Sequence, residues 1–171
     1  MKKIYLLLSL VLIGLFAACT KNADEFPEYD SYLYVWKVRT WNVGAQGNLS
    51  DIKVSYFFQG DTTRVEKINF WIVKKDATLY ADEAMKHQDK AYAVTEIVND
   101  PDQKVYKNQC SFRFPEGIYT DYDGDSLRFD QEYRLMVKAI GTDDKIVDSP
   151  MIEGGVFVIA DPDVVEEEET L

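Results

Sequence analysis

The stretch LRFDQEYRLMVKA, residues 127–139, decides the fold. From Tyr133 onward, Leu135, Val137 and Ala139 occupy every second position, and this period of two is typical of a strand with one buried face. Polar residues and an Asp-Gly turn precede the run, so we expect the strand to begin near Tyr133. The stretch therefore predicts one long, half-buried strand.

The same period of two recurs along most of the chain. We expect strands in six further segments: 32–41, 52–59, 68–73, 92–98, 105–114 and 156–160. The segment 77–90 lacks this alternation and carries helix-favouring alanines, and it predicts a short helix that covers a sheet edge. Seven short strands joined by turns predict an all-β fold, namely an antiparallel β-sandwich with one short helix.

The segment around Tyr133 resembles the F strand of fibronectin type III domains. In that family a leucine stands six residues before the tyrosine, as Leu127 does here, and Phe129 takes the place of a proline that is common there. The resemblance implies a tyrosine corner, in which the ring packs in the core and the hydroxyl bonds a backbone group upstream. It implies an immunoglobulin-like, fibronectin III-like sandwich and, by itself, no function.

The N-terminal residues carry the features of an export signal. A lysine pair at 2–3 precedes an apolar run at 4–15, and small residues at 17–18 precede Cys19. The run is too short to span a bilayer as a helix, which takes about 20 apolar residues. The segment resembles the bacterial type II signal peptide of lipoproteins, with Phe16 where leucine is usual. The resemblance implies a lipidated Cys19 that holds the protein on a membrane, and the alternative is an ordinary secretory signal.

These features divide the chain into four segments. We expect a lipoprotein signal peptide at 1–18, a lipidated N-terminus and flexible tether at 19–30, a β-sandwich domain at 31–160 and an acidic disordered tail at 161–171. Acidic residues shortly after Cys19 resemble the export signals of surface lipoproteins in glycan-foraging Gram-negative bacteria. The resemblance implies an outer-membrane lipoprotein at the cell surface, and the periplasmic side of that membrane stays open as the alternative.

Composition limits the partners. The chain carries 30 acidic and 19 basic residues, for a net charge of −11, and its Lys and Arg residues are not clustered along the sequence. We do not expect it to bind nucleic acid, because that binding depends on cations that displace phosphate counterions. Of the two cysteines, Cys19 is assigned to lipid. Cys110 shares a strand face with two phenylalanines, so we expect a buried thiol.

Residues suited to catalysis are sparse. The only histidine, His87, lies among polar residues of the predicted helix, where a solvated side chain is more common than a catalytic base. A small hydrolase that uses two carboxylates is an alternative, since the chain has many acids, but no such pair alternates with aromatic residues along a strand. We therefore expect a protein that is not an enzyme.

The segment 121–132 spaces four acids as a calcium-binding loop does. Asp121, Asp123, Asp125 and Glu132 hold positions one, three, five and twelve, and this spacing resembles that of helix-loop-helix calcium proteins. The flanking segments are predicted strands rather than helices. The alternative is an acidic connecting loop that leads into the strand, and in that case no cofactor is expected.

Exposed aromatic rings suit sugar binding, because the ring face packs on the apolar side of a pyranose. Trp71 and Phe57 lie on the strand faces opposite the predicted core residues, so they are the candidates for a ligand platform. The alternative is that both are buried under loops or the helix. By the same argument, Tyr32, Tyr34 and Trp36 are assigned to packing.

Two short motifs, Asp61-Thr62-Thr63 and Asp125-Ser126-Leu127, resemble the O-glycosylation acceptor of the same glycan-foraging bacteria. The resemblance makes Thr62 and Ser126 candidate O-glycosylation sites. Because the motif is short and frequent, the alternative is that both are ordinary turn residues.

These features favour a lipid-anchored binding protein of the cell envelope. We expect a non-catalytic binding or accessory module for glycan or for a partner protein of an outer-membrane nutrient-uptake system. The second hypothesis is a structural adhesin or fimbria-like subunit, in which an exposed strand edge pairs with a neighbour. The small carboxylate-dependent hydrolase is the third.

Overall fold

The computed structural model of the protein describes residues 32–42, 48–100, 108–117, 119–144 and 146–159. The predicted signal peptide at 1–18, the lipidated Cys19, the tether at 19–30 and the acidic tail at 161–171 lie outside these residues, so they stay predictions. Within the described ranges, no helix is long and apolar enough to span a bilayer.

Seven strands and one short α-helix make up the described part of the domain. The strands are β1 Tyr34–Asn42, β2 Ile52–Gln59, β3 Val65–Lys74, β4 Tyr92–Val94, β5 Gln109–Arg113, β6 Glu132–Gly141 and β7 Ile152–Val158. The helix α1 spans Ala81–Lys86, and a 3-10 turn at Gln88–Lys90 follows it. The predicted helix at 77–90 is therefore confirmed in kind, with a shorter regular part.

The strands form two antiparallel sheets. The three-stranded sheet has the order β1-β2-β5, and the four-stranded sheet has the order β4-β3-β6-β7. Apolar side chains from both sheets form one buried core. The fold is thus an all-β antiparallel sandwich, which confirms the fold class that the alternation predicts. The more specific immunoglobulin or fibronectin III type stays a prediction.

The predicted strand that begins near Tyr133 is β6, which pairs with β3 on one side and β7 on the other. Tyr133, Leu135 and Val137 are buried in the core. The Tyr133 hydroxyl accepts a hydrogen bond from the backbone N–H of Arg128 at 2.9 Å. The tyrosine corner's ring burial and upstream hydrogen bond are therefore both present, and the hydroxyl is satisfied where the ring enters the core.

β1 and β7 belong to different sheets and pack against each other along one side of the sandwich. Gly154 allows this close approach, because a Cβ atom at its position would lie only 2.9 Å from Val38 Cγ1. The Thr40 hydroxyl donates a hydrogen bond to the Val156 carbonyl at 3.4 Å. The strand predicted at 156–160 begins earlier than expected, at Ile152, and Gly154 within it leaves room for Val38 of β1.

The assignment of Tyr32, Tyr34 and Trp36 to packing is not confirmed, because none of the three belongs to the buried core and Tyr32 is 39% exposed. The core side chains of this segment are aliphatic: Leu33, Val35 and Val38. Lys37 adopts the left-handed conformation, with φ 50°, at an irregularity in the β1–β2 pairing. This bulge keeps Trp36 and Arg39 on the same outer face of the sheet, although three positions separate them.

The helical segment covers a sheet face rather than the predicted sheet edge. Trp71 and Met136 lie on the outer face of the four-stranded sheet, and they are buried against Leu79 and Ala84 of the segment 77–90. These side chains form a second, smaller apolar cluster. The described residues place no helix over the outer face of the three-stranded sheet, so the two outer faces differ in their access to solvent.

We expect Gly154→Ala to lower the free energy of unfolding by about 1–3 kcal/mol, because the added methyl group overlaps Val38 and the two strands must separate. Gly155→Ala is the matched control, since its Cβ atom would lie 3.5 Å from Thr40, an ordinary contact. Urea unfolding of both variants measures the difference. Equal stabilities of the two variants would show that the fold tolerates an added methyl group between β1 and β7.

Candidate functional site

Trp71, one of the two candidates for an exposed platform, is 0% exposed. Its indole Nε1–H donates a hydrogen bond to the His87 carbonyl at 3.1 Å, and the helical segment packs over its ring. The platform prediction is therefore wrong for Trp71, because an apolar helical segment covers this face of the sheet. The alternative, burial under the helix, is confirmed for this residue.

Phe57, the other candidate, belongs to a continuous row of four rings on the outer face of the three-stranded sheet. We call Tyr32, Tyr34, Trp36 and Phe57 the aromatic row. Ring centroids lie 5.8 Å apart between Tyr32 and Tyr34, 5.3 Å between Tyr34 and Trp36, and 5.8 Å between Trp36 and Phe57. The first and last pairs are stacked, with interplanar angles of 14° and 9°.

Strand geometry places these four rings in one row. Tyr32, Tyr34 and Trp36 occupy alternate positions, so they share one face of the sheet. Trp36 lies directly opposite Phe57 on β2, where cross-strand side chains are close neighbours. Tyr32 is 39% exposed and the other three rings are partly exposed. The Lys37 ammonium lies 5.6 Å from the Phe57 ring centroid, a cation–π contact at the side of the row.

Two glutamines flank the aromatic row. Gln59 lies opposite Tyr34 in the β1–β2 pairing, and Gln109 lies opposite Phe57 in the β2–β5 pairing. The Gln109 amide donates a hydrogen bond to Asp100 at 3.4 Å. Each glutamine carries both a donor and an acceptor, so the rings have hydrogen-bonding groups beside them.

The same face continues beyond the row with basic residues and one more tryptophan. Arg39 lies opposite Ser55, and Trp41, which is 51% exposed, lies opposite Lys53. Arg113 of β5 lies opposite Lys53 on its other side. We call the outer face of the three-stranded sheet, with the aromatic row and these residues, the open face.

The predicted calcium loop brings three of its four carboxylates together, but around an ammonium group. Lys74 Nζ lies 3.4 Å from Asp121 Oδ2, 3.3 Å from Asp123 Oδ2 and 2.7 Å from Asp125 Oδ2. The Asp121 side chain is 1% exposed, and its other oxygen accepts hydrogen bonds from the backbone N–H groups of Asp123 and Asp125 at 3.0 Å. Lys74 therefore fastens the end of β3 to this loop.

The fourth predicted ligand, Glu132, points elsewhere and pairs with Lys75 at 2.6 Å. Over the described ranges, no group of three or more His, Cys, Asp or Glu side chains is arranged to hold a metal ion. Since Lys74 already supplies the positive charge between the carboxylates, the geometry favours the alternative of an acidic connecting loop. Calcium binding by this loop stays a prediction.

The ion pairs around Lys74 shift pKa values in both partners. The carboxylates, above all that of Asp125, raise the pKa of the Lys74 ammonium above its usual range. In return, hydrogen bonding to Lys74 holds the pKa of Asp125 below its usual value of 3.8. Each shift favours the charged form of both groups, so the pair persists across the neutral pH range.

Cys110 is buried, which confirms the prediction of a buried thiol. Burial, with a smaller contribution from the charge of Asp100, raises the pKa of the Cys110 thiol to about 11. The thiol is therefore protonated near neutral pH and is a poor nucleophile. Cys110 contributes to packing in the core.

Both candidate O-glycosylation sites are exposed. Thr62 opens the 3-10 turn Thr62–Arg64, and the Asp61 carboxylate caps this turn by accepting the Thr63 N–H at 2.9 Å. Ser126 lies in the loop before β6. The hydroxyl groups are accessible to a modifying enzyme, and glycosylation at either residue stays a prediction.

A shallow pocket of about 170 Å³ lies at the end of the sandwich where β6 begins, lined in part by Tyr119, Leu127, Phe129 and Ile159. Asp, Glu and His are absent from its lining. It offers no pair of carboxylates for acid–base chemistry. The open face is therefore the stronger candidate site.

The chain matches no known protein-family model, no curated protein and no solved structure.

Sequence reasoning missed Tyr32, Tyr34 and Trp36 as site residues, because both faces of their segment are apolar. The signal that distinguishes the faces is side-chain type, since one is aliphatic and the other aromatic. Sequence reasoning also missed the basic side of the open face, whose residues lie on three different strands.

We expect Lys74→Met to destabilise the domain near neutral pH, because Asp121, Asp123 and Asp125 are then left to repel one another. Asp125 has a lowered pKa, so its contribution is fully present above pH 3.8 and is lost as the pH falls through its folded-state pKa. The difference from the wild type should therefore shrink at acid pH. Urea unfolding at pH 7 and at pH 3 measures this change.

Lys75→Met is the matched control, since it removes the same type of charge from a single exposed pair with Glu132. We expect a smaller loss of stability for this control at pH 7. If Lys74→Met and Lys75→Met are equally stable at pH 7, Lys74 does not organise the loop.

We also expect added calcium chloride to leave the Tm of the wild type unchanged, because Lys74 already lies between the three carboxylates. A clear rise in Tm would restore the calcium site.

Proposed function

We propose that the protein is a lipid-anchored, non-catalytic binding module of the cell envelope that holds glycan on the open face. The observation that supports this proposal is the aromatic row, whose four rings lie side by side on the surface of a rigid sheet. A partly exposed aromatic face packs on the apolar side of a pyranose, while the neighbouring glutamines supply hydrogen bonds to its hydroxyl groups.

Large aromatic side chains at the surface contribute less to the stability of the fold than buried ones do. A role in ligand binding would explain why they are kept there. Full burial of a side chain of this size contributes about 1.5–3 kcal/mol, and each partly exposed ring of the row gives up part of this. A contiguous apolar patch on a soluble domain commonly marks an interaction site. Stacking among the rings orders them before a ligand arrives, so little side-chain entropy is lost on binding.

The chemistry of the open face supports binding rather than catalysis. Glycoside hydrolysis requires two carboxylates on either side of the scissile bond. The strands β1, β2 and β5, which build the open face, contain no Asp and no Glu. A hydrolytic role at this face therefore lacks the required acids.

The predicted lipid anchor agrees with a role in capturing ligands from outside the membrane. The predicted tether ends at residue 30, and the aromatic row begins at Tyr32. The resemblance of the N-terminus to surface lipoproteins of glycan-foraging bacteria motivates glycan as the ligand class. Both the location and the ligand class belong to the proposal.

The alternative of a fimbria-like subunit has less structural support. Such a subunit would pair an exposed strand edge with a neighbouring molecule. The outer edge of β5 already bonds residues before it in the chain, through Asp100 N–H to the Gln109 carbonyl at 2.8 Å and Ser111 N–H to the Val98 carbonyl at 3.3 Å. β4 has only three residues, so it is a short template for strand addition.

We expect Trp36→Ala to weaken glycan binding by about tenfold or more, because one aromatic contact of about 1.4 kcal/mol corresponds to a factor of ten. The matched control is Tyr80→Ala, which removes a ring that is 66% exposed and lies at the start of α1, away from the open face. Affinity electrophoresis of the full chain in gels that contain neutral or acidic polysaccharides compares the variants.

The glycan proposal fails if the wild-type chain is not retarded by any polysaccharide. If the wild type binds and both variants bind equally well, glycan binding lies elsewhere on the molecule. Urea unfolding of Trp36→Ala separates lost binding from lost folding, and we expect a modest loss of stability, since the ring packs on the surface rather than in the core.

A further inference from the structure

The charge of the open face is opposite to that of the whole protein. The chain has a net charge of −11. The three strands of the open face nevertheless carry only basic charged residues: Lys37, Arg39, Lys53 and Arg113. The strands of the other sheet include Glu66, Glu132 and Glu153 among their charged residues. The folded chain thus gathers positive charge on the face that bears the aromatic row.

The strand register places these basic residues beside the rings. Along β1, Arg39 follows Trp36 on the same face, because the bulge between them shifts the alternation. Across the sheet, Lys53 stands between Trp41 and Arg113. Neighbouring strands lie about 4.8 Å apart, so Trp41 and Arg113 are separated by about 10 Å across β2. A polymer lying along the row would reach Arg39 and Arg113 at its end.

Arg39 of β1 and Arg113 of β5 differ from Lys53, which lies on the strand between theirs. Lys53 Nζ pairs with the buried carboxylate of Asp100 at 3.0 Å, so its charge is largely neutralised. Arg39 and Arg113 are exposed and have no ion pair with an acid of the described residues. A guanidinium group binds a carboxylate or a sulfate through two parallel hydrogen bonds, which suits it to anionic sugars.

We propose that the glycan held by the open face is anionic, with carboxylate groups of uronic acids or with sulfate groups. The aromatic row packs against the sugar rings, and Arg39 and Arg113 bind the negative groups. This inference rests on the proposed function and adds the class of ligand. Charge complementarity carries it, since all charged residues of the three strands are basic and, within the described residues, only Lys53 among them forms an ion pair with an acid, Asp100, which suits a negatively charged polymer.

The net charge of the protein does not prevent this binding. At physiological ionic strength the Debye length is about 8 Å, so distant acids are screened while the arginines in contact with the ligand are not. Nucleic acid is a weaker match. Binding to it depends on neutralising many phosphates with Lys and Arg side chains, and the three strands of the open face offer Lys37, Arg39 and Arg113 besides the paired Lys53.

The test compares matched pairs of polysaccharides that differ only in charge. One pair is polygalacturonate and its carboxyl-reduced form, and the other is a sulfated galactan and its desulfated form. The full chain, purified in detergent, is titrated with each polymer at low and at physiological salt. We expect the charged member of at least one pair to bind about tenfold more tightly, and this preference to fall as salt rises.

The variant Arg39→Gln/Arg113→Gln should lose the preference for the charged member and keep the affinity for the neutral one. Arg128→Gln/Lys86→Gln is its control, because it removes the same net charge at exposed positions outside the open face. Trp36→Ala should weaken binding to both members. This pattern separates the arginines, which select charge, from the ring, which binds sugar.

The outcomes distinguish a failure of the anionic preference from a failure of glycan binding itself. Equal affinity for the charged and neutral members overturns the anionic preference and leaves glycan binding intact. No binding to any of the four polymers overturns both proposals. A single-stranded oligonucleotide that binds as tightly as the charged polysaccharide overturns the inference in favour of general polyanion binding. Loss of the preference in the control variant would assign it to net charge rather than to Arg39 and Arg113.

Discussion

The close approach of β1 to β7 is the contact on which the rest of the structure depends. Val38 packs against the backbone at Gly154, with no room for a further carbon atom between them. Only aliphatic side chains enter the core from this part of β1, as Val35 and Val38 do. The larger rings at the alternate positions, Tyr34 and Trp36, lie on the outer face. The aliphatic face of β1 thus packs between the sheets, and its aromatic face carries the row.

The two sheets use their outer faces differently. On the four-stranded sheet, Trp71 packs under the helical segment and donates its Nε1–H to the His87 carbonyl. Lys74 forms ion pairs with the loop before β6. The outer face of the four-stranded sheet is therefore covered by other parts of the same domain. On the three-stranded sheet, Trp36 lies in a stack of rings that no described helix covers. A tryptophan at a strand position is therefore either a packing residue or a candidate ligand contact, depending on what lies above it.

Local patterns in the sequence predicted the features that depend on near neighbours. The period of two identified the strands, and the resemblance to the fibronectin III F strand implied the hydrogen bond that Tyr133 accepts from a backbone group upstream, which is the Arg128 N–H. Features that depend on distant residues were not predicted. The orientation of β1 depends on β7, more than a hundred residues later, because both faces of β1 are apolar. The carboxylates of Asp121, Asp123 and Asp125 converge as predicted, but their partner comes from the end of β3.

The measurement that tests the central claim most directly is a two-dimensional NMR spectrum of the three tryptophan indole N–H groups during titration with a hexuronate oligosaccharide. Trp36 lies in the aromatic row, Trp41 lies farther along the same face, and Trp71 is buried beneath the helical segment. The account predicts that the Trp36 signal moves as ligand is added while the Trp71 signal stays in place. Saturable binding that leaves the Trp36 signal unmoved would contradict it.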